Sequence, residues 1–241
     1  QKVSDEMLLL INRAYEVSQM SQGAFDITFA SVGHLYNYRE QQQPSPAQRQ
    51  QKQQAIDYRW VSIDRQQRVS FKHPDVRIDL GGIAKGYAAD RAIAIMQSFG
   101  IQHGSVSAGG DSRLLGDRLG RPWLVGIENP RQADAIAITL PLDNAAVSTS
   151  GDYERFFIDK TTGERIHHII NPRSGTSAKG IASVTIIGST GLQTDPLSTS
   201  VFVMGVEKGL ALINQLAEVD AIIIDSAGKV HYSEGLSPPS E

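Results

Sequence analysis

Cysteine is absent from this chain of 241 residues. Its absence excludes disulfides, thiolate metal ligands and a cysteine nucleophile, and it is compatible with both oxidising and reducing compartments. The sequence also lacks an apolar run that approaches membrane-spanning length and lacks a signal peptide, although its first residue is Gln1 rather than Met. We therefore expect a product that has been processed or trimmed at its N-terminus.

A strong charge of either sign is also missing. The chain has 23 Lys and Arg residues against 26 Asp and Glu residues, for a net charge of −3. It has no dense basic run with interleaved aromatic residues, so the composition predicts no binding to nucleic acid. Hydrophobic residues make up 40% of the chain, which is typical of a soluble globular protein.

Strand and helix patterns are mixed and do not alternate regularly, so we predict an α+β or mixed α/β fold. Helical spacing predicts helices over residues 7–15, 84–99 and 196–204. A β-branched run predicts a strand at 182–187. The glutamine-rich segment 39–54 is interpreted as a surface loop followed by an exposed helix.

The most informative stretch begins at Asp79 and reads DLGGIAKGYAAD. Alternating apolar residues at 76–80 predict a half-buried strand, Gly81 and Gly82 predict a turn, and Lys85 falls in the first turn of the following helix. The N-terminus of a helix carries free N–H groups and suits an anion such as phosphate. The stretch therefore predicts either a phosphate site or a tight strand-to-helix turn without a ligand.

Other segments carry side chains that suit phosphate or metal chemistry. Asp195 precedes a proline, which is typical of an N-cap, but its carboxylate and the Thr199 hydroxyl share a helix face and suit Mg²⁺. His168 ends a histidine pair and could accept a proton from a hydroxyl, although such pairs are more often packing or surface residues. Residues 148–150 form either a phosphate loop or a polar strand end, and Asp26 is either a turn residue or an acceptor for a ligand N–H.

Taken in order, six segments resemble the ApbE family, the FAD:protein FMN transferases. They are GAFDIT at 23–28, RIDLGGIAKGYAADRA at 77–92, VSAGGDSR at 106–113, AVSTSGDYERFF at 146–157, HHIINPRSG at 167–175 and TDPLSTSVFVMG at 194–205. The resemblance covers most of the chain, from about residue 5 to about residue 232. Each motif alone is weak, but six in the same order are specific.

The resemblance implies one domain over residues 1–241, with a two-part α/β fold and an FAD cleft. It implies Mg²⁺-dependent cleavage of FAD, with transfer of FMN to a threonine or serine hydroxyl of an acceptor flavoprotein subunit and release of AMP. The acceptor would belong to a membrane redox complex. Two alternatives are a Mg²⁺-dependent FAD pyrophosphatase that yields FMN and AMP, and a non-catalytic FAD-binding protein.

The resemblance also implies roles for particular residues. The metal ligands would be the Gly82 main-chain carbonyl, the Asp195 carboxylate and the Thr199 hydroxyl. His168 would be the catalytic base, and Lys85 would contact FAD and add positive charge where negative charge develops. The other FAD contacts would come from Ala24, Phe25, Asp26, Asp79 and Ile169.

The chain departs from the family's pattern at its start and at two positions. Family members usually carry an upstream strand and an aromatic-containing segment that helps to cover the flavin, and this chain begins after that region. Asn171 stands where Asp is more usual, and Pro196 stands where Ala is. Many members are exported lipoproteins, so we expect a periplasmic protein that is anchored to the inner membrane in its full-length form.

Overall fold

The computed structural model describes residues 1–236, and its first part is mainly helical. The elements of this part are α1 (Asp5–Met20), a 3-10 helix (Ile27–Phe29), α2 (Ala30–Gly33), α3 (Pro46–Gln53), a second 3-10 helix (Tyr58–Trp60), β1 (Val61–Ile63) and β2 (Val69–Phe71). Helix α1 begins behind Ser4, whose Oγ accepts a hydrogen bond from the Met7 N–H. Helix α3 has a capping box and no buried residues. It is therefore the exposed helix that the glutamine-rich segment 39–54 predicts.

The rest of the chain contains most of the strands. Its elements are α4 (Ala84–Ser98), β3 (Gly104–Ala108), β4 (Asp111–Leu115), β5 (Trp123–Glu128), β6 (Ile136–Leu142), β7 (Ala146–Gly151), β8 (Phe156–Ile158), β9 (Arg165–His167), β10 (Ile170–Asn171), β11 (Thr176–Ser177), β12 (Ile181–Gly188), α5 (Gly191–Met204), α6 (Val206–Ile213), β13 (Asp220–Asp225), β14 (Val230–Tyr232) and a 3-10 helix (Glu234–Leu236). Six of these strands form one antiparallel sheet in the order β14-β13-β12-β7-β4-β3. The predicted mixed α/β class is confirmed. Residues 237–241 of the predicted single domain lie outside the described residues.

Helices α4, α5 and α6 pack on one face of this sheet. Val184 and Ile186 of β12 are fully buried against Val201 of α5 in the largest apolar cluster. Each fully buried aliphatic side chain of this kind contributes about 1.5–3 kcal/mol. In the strand register, Ser150 and Ser148 of β7 lie beside Val184 and Ile186, so the same face presents hydroxyls to α5. The sheet thus holds α5 through both apolar and polar contacts.

The prediction of a strand at 76–80 is wrong. Among the described residues, β2 ends at Phe71 and the segment 76–80 lies outside every strand. The segment is held by individual hydrogen bonds rather than by strand pairing. One of them joins the Asp79 N–H to the Ile27 carbonyl at 2.9 Å. The alternation in this segment arises because Ile78 and Leu80 pack against the apolar cluster under α1. Asp79 therefore ends an irregular segment rather than a strand.

Helix α5 begins at Gly191 rather than at Pro196, which lies inside the helix. The reason is a contact from another helix. The Asp90 carboxylate of α4 accepts hydrogen bonds from the N–H groups of Gly191 and Leu192, each at 2.8 Å. These N–H groups have no partner within their own helix, so the Asp90 carboxylate caps the N-terminus of α5. Asp195 is consequently not the N-cap, and its carboxylate faces other partners.

Helices α4 and α5 cross at a point where their backbones touch. A methyl group at Gly86 would overlap the Gly191 carbonyl and would lie 2.8 Å from Asp195 Cβ, and one at Gly191 would overlap the Gly86 carbonyl. The Gly86 N–H donates a hydrogen bond of 3.0 Å to Asp195 Oδ2. The glycine pair therefore allows the first turns of the two helices to meet.

We predict that Gly86→Ala destabilises the protein, although alanine favours a helix by about 1 kcal/mol over glycine. Forcing a methyl group into a filled contact typically costs about 1–3 kcal/mol, and here the obstruction is main chain. The free energy of unfolding in urea measures the effect. The control is Ala88→Ser at an exposed position of α4, which should stay within about 0.5 kcal/mol of the parent. A Gly86→Ala variant as stable as the parent would contradict the backbone contact.

Candidate functional site

The crossing of α4 and α5 gathers four residues that the sequence singled out. A methyl group at Gly82 would lie 3.5 Å from Thr199 Oγ1. Lys85 Nζ lies 3.3 Å from Asp195 Oδ1. Thr199 follows Asp195 by one helical turn, so both side chains point to the same side of α5. The predicted metal ligands and Lys85 thus lie together despite their separation in the sequence.

The Lys85 ammonium lies among three oxygen acceptors. It donates to the Gly81 carbonyl at 3.2 Å and to Asp195 Oδ1 at 3.3 Å, and it forms an ion pair of 2.7 Å with Asp111 Oδ2. Partial burial opposes its charge, but Asp195 and Asp111 outweigh that effect and raise the pKa of Lys85. The side chain is therefore a fixed positive charge at neutral pH.

Asp111 is a member of this site that our sequence reasoning missed. It follows a hairpin turn between β3 and β4, where Gly109 and Gly110 have φ values of 57° and 93°. Positive φ at both central residues is what a two-residue type I′ turn requires. A methyl group at Gly109 would lie 3.3 Å from Lys85 Cδ, so the turn packs directly on the lysine. The Gly-Gly-Asp sequence signals the turn, but only the tertiary structure shows that it faces Lys85.

Two buried carboxylates share one lysine in this cluster. The side chains of Asp111 and Asp195 are only 2% and 3% exposed. Burial raises the pKa of Asp195, and the negative charge of Asp111 raises it further, whereas Lys85 and the Gly86 N–H oppose the rise. An unpaired buried charge is costly. With both carboxylates ionised, the cluster carries one negative charge in excess and attracts a cation.

The available ligands fit Mg²⁺ bound together with a phosphate-bearing substrate. Within residues 1–236, no three side chains of His, Cys, Asp or Glu are grouped so that they could hold a metal ion by themselves. Mg²⁺ commonly binds one or two carboxylates plus waters and substrate phosphates. Asp195, Thr199 and the Gly82 carbonyl offer hard oxygen atoms of this kind. Their role as ligands stays a prediction.

Hydroxyl groups of β7 connect the sheet to this side of α5. Ser148 Oγ lies 2.7 Å from Thr194 Oγ1, and Ser150 Oγ lies 2.8 Å from Ser198 Oγ and 3.3 Å from Thr199 Oγ1. Residues of this segment are part of a strand, so the interpretation as a polar strand fits and a phosphate loop does not. Through Ser150, the strand restrains the Thr199 hydroxyl.

The histidine pair is held mainly through His167 and the main chain. His167 is buried, and its Nε2–H donates to the Ala178 carbonyl at 2.8 Å. Its main-chain N–H and carbonyl both bond to the Ser177 hydroxyl. The His168 N–H donates to the Arg155 carbonyl at 3.1 Å. These contacts fix the backbone of the pair, and within residues 1–236 the buried Nδ1 atom of the half-buried His168 ring has no hydrogen-bond partner.

The electrostatic environment keeps His168 neutral. Burial, together with the smaller effects of the neighbouring His167, Arg155 and Lys85, lowers the pKa of His168 to about 4. An imidazole that is neutral at neutral pH can accept a proton. Because Lys85 acts on this pKa, His168 lies within electrostatic range of the carboxylate cluster.

The segment that begins at Ala24 lies against the Gly82 turn. Phe25 is buried, and its Cε2 atom would lie 3.2 Å from a methyl group at Gly82. The Asp26 carboxylate caps the following 3-10 helix and accepts a hydrogen bond of 2.8 Å from the Tyr58 N–H. Burial raises the pKa of Asp26, and those hydrogen bonds oppose the rise. The segment supports the turn, while its contact with FAD stays a prediction.

The two remaining predicted FAD contacts differ in their exposure. Asp79 is exposed, and its Oδ1 accepts a hydrogen bond of 2.6 Å from the Gly81 N–H, which shapes the turn before α4. The Ile169 side chain is buried in the apolar cluster under α5. A ligand contact at Ile169 would therefore involve its main chain.

Comparison with known proteins identifies relatives of this chain. The ApbE family model matches residues 1–223. A curated FAD:protein FMN transferase of Haemophilus influenzae is 29% identical over 220 residues, which cover 87% of this chain and 63% of that protein. The chain thus spans a little under two thirds of the length of this curated relative.

Solved structures agree with the sequence matches. The ApbE protein of Thermotoga maritima has a TM-score of 0.89 and 36% identity, and the alignment covers 97% of this chain and 77% of that one. The flavin transferase ApbE of Vibrio cholerae has a TM-score of 0.84 and 27% identity, with 97% and 76% coverage. The resemblance drawn from the six motifs is confirmed at the level of family and fold.

We predict that His168→Gln flattens the acid dependence of stability. In the unfolded chain His168 takes up a proton near pH 6.5, whereas the folded protein resists protonation down to about pH 4. The free energy of unfolding is therefore highest above pH 6.5, and it decreases as the pH falls towards 4, because the unfolded chain takes up a proton that the folded protein resists. The contribution is at most about 1.4 kcal/mol per pH unit.

The measurement is the free energy of unfolding of the parent and the variant between pH 7 and 4, without metal or FAD. His34→Gln is the control and should follow the parent, since His34 is exposed and its ring bonds to the main-chain carbonyl of Ala30. Equal slopes for the parent and His168→Gln would show that burial does not hold this histidine neutral.

Proposed function

Because this chain belongs to the ApbE family, we propose that it transfers FMN from FAD to a threonine or serine hydroxyl of an acceptor flavoprotein. The reaction we propose depends on Mg²⁺ and releases AMP. The observation that carries the proposal is the cluster at the α4–α5 crossing, where a lysine meets two buried carboxylates within electrostatic range of a neutral histidine. Phosphoryl transfer needs charge neutralisation and positioning rather than an enzyme nucleophile.

Positive charge at the start of α4 would bind the diphosphate of FAD. Lys85 is protonated and partly exposed, and it lies in the first turn of the helix beside the Gly81 carbonyl. The first N–H groups of a helix add a positive dipole end at the same place. Preorganised charges of this kind stabilise negative charge that develops in the transition state.

Asp195, Thr199 and the Gly82 carbonyl would hold Mg²⁺. When bound, the metal would neutralise the charge of the diphosphate and polarise its oxygen atoms. The protein prepares this site in two ways. The Gly86 N–H orients the Asp195 carboxylate at 3.0 Å, and Ser150 Oγ lies 3.3 Å from Thr199 Oγ1.

His168 would act as the general base. Its neutral imidazole would accept the proton of the acceptor hydroxyl as that oxygen bonds to the phosphorus of the FMN half. The bond from this phosphorus to the bridging oxygen then breaks, and AMP leaves with the electron pair. General-base assistance of this type is worth roughly 10²–10⁴-fold in rate.

The acceptor and the location follow from the same proposal. The names of the relatives describe flavin transfer to a protein, which supports a protein acceptor. We propose that the acceptor is a subunit of a membrane redox complex and that the protein acts in the periplasm, tethered to the inner membrane as a lipoprotein. Among residues 1–236, none of the helices combines the length and the hydropathy needed to cross a bilayer.

We predict that Asp195→Asn lowers the rate of transfer by about 100-fold or more, because several kcal/mol of charge stabilisation depend on the metal carboxylate. The protein is incubated with FAD, MgCl₂ and a threonine-containing acceptor peptide, and mass spectrometry detects the peptide with one added FMN. Asp143→Asn removes an equal charge at an exposed position and should react like the parent.

The products separate the proposed function from its alternatives. An FMN-labelled peptide with an equal amount of AMP supports transfer. Free FMN and AMP without labelled peptide would make the protein a pyrophosphatase, and bound but intact FAD would make it a binding protein. Full activity of Asp195→Asn at saturating Mg²⁺ would contradict the metal role of this residue.

A further inference from the structure

Asp111 holds the Lys85 ammonium more closely than Asp195 does. The ion pair with Asp111 Oδ2 measures 2.7 Å, whereas the distance to Asp195 Oδ1 is 3.3 Å. At 2.7 Å the ammonium and Asp111 Oδ2 are in direct ionic contact, whereas the longer contact with Asp195 Oδ1 is the one that has hydrogen-bond geometry. The positive charge of Lys85 thus lies closer to Asp111 than to Asp195.

The position of the Asp111 carboxylate is set by the sheet. Asp111 is the first residue of β4 and lies opposite Ala108 in the hairpin and opposite Ser148 of β7. The positive-φ Gly-Gly turn precedes it, and its side chain is 2% exposed. Lys85, in contrast, has a flexible four-carbon side chain. The sheet thus fixes the backbone from which the short Asp111 side chain reaches the flexible ammonium.

Lys85 and a metal ion would compete for the same carboxylate oxygen. Asp195 Oδ2 is already bonded to the Gly86 N–H, so Oδ1 is the oxygen that faces Lys85 Nζ. A full ion pair at Oδ1 would cancel the charge that attracts a divalent cation. By binding Lys85, Asp111 limits this cancellation.

We propose that Asp111 is a positioning residue that holds Lys85 away from Asp195 and so keeps the Asp195 carboxylate available for the divalent cation. The proposal rests on the proposed function of this site. Asp111 touches neither substrate nor metal in this role and acts only through Lys85. Removal of its charge should let Lys85 move onto Asp195 Oδ1 and weaken cation binding.

The test measures binding of Mn²⁺, which reports on the Mg²⁺ site through the electron paramagnetic resonance signal of the free ion. Titrations are made with saturating FAD on the parent chain, Asp111→Asn, Lys85→Gln and the double variant. We expect Asp111→Asn to bind Mn²⁺ about tenfold more weakly than the parent, within the range of coupling between contacting charged groups.

The double variant distinguishes positioning from other roles of Asp111. Without the ammonium, nothing can move onto Asp195, so the double variant should bind Mn²⁺ about as tightly as Lys85→Gln. If Asp111 were itself a metal ligand, or acted only through its long-range charge, the double variant would be weaker than Lys85→Gln by the same tenfold factor. That result would overturn the proposal.

Two further variants control for stability. Asp152→Asn breaks a different ion pair, in which the partly exposed Arg131 places Nη1 2.6 Å from Oδ1 of the buried Asp152, and should leave Mn²⁺ affinity unchanged. Asp111→Ser, alone and combined with Lys85→Gln, repeats the comparison with a smaller side chain in case the asparagine variant does not fold.

The result also separates this inference from the function on which it rests. If the parent binds no Mn²⁺ with or without FAD, the metal site itself is wrong, and the role of Asp111 falls with it. If the parent binds Mn²⁺ and Asp111→Asn binds it equally well, only the positioning role is overturned.

Discussion

Direct contact between the backbones of α4 and α5 is the constraint on which the rest of the site depends. Gly86 and Gly191 meet so closely that a side chain on either residue would overlap the main chain of the other. The Gly86 N–H also donates a hydrogen bond to the Asp195 carboxylate. Asp90 closes the same crossing by capping the first N–H groups of α5. Because the helices meet at their first turns, the Gly82 turn lies beside Thr199.

This arrangement keeps an excess of buried negative charge in a small space. Asp111 and Asp195 are nearly inaccessible to solvent and share the single ammonium of Lys85. Such a pair lowers the stability of the free protein, since a buried carboxylate without a full partner is costly. The same excess charge favours a divalent cation with a phosphate-bearing ligand. The excess of buried negative charge therefore accounts both for the lower stability of this region and for its proposed ability to bind a cation.

Local patterns predicted the parts of the fold that depend on local physics. The periodicity of α4 and the glycine turn before it were visible because each is determined by neighbouring residues. The start of α5 was not, because its cap is Asp90 on another helix. The strand at 76–80 was wrong because alternation of buried residues also occurs in an extended segment without a strand partner. Asp111 was missed because its role depends on its contact with Lys85, and the residues around Asp111 in the sequence do not predict that contact.

The most direct test of this account is a crystal structure of the chain with FAD and Mn²⁺, in which anomalous scattering locates the metal. The account predicts one peak about 2.1 Å from an Asp195 carboxylate oxygen and from Thr199 Oγ1, with the Gly82 carbonyl and the diphosphate as further ligands. A metal peak away from Asp195, or FAD bound with its diphosphate far from the start of α4, would contradict it.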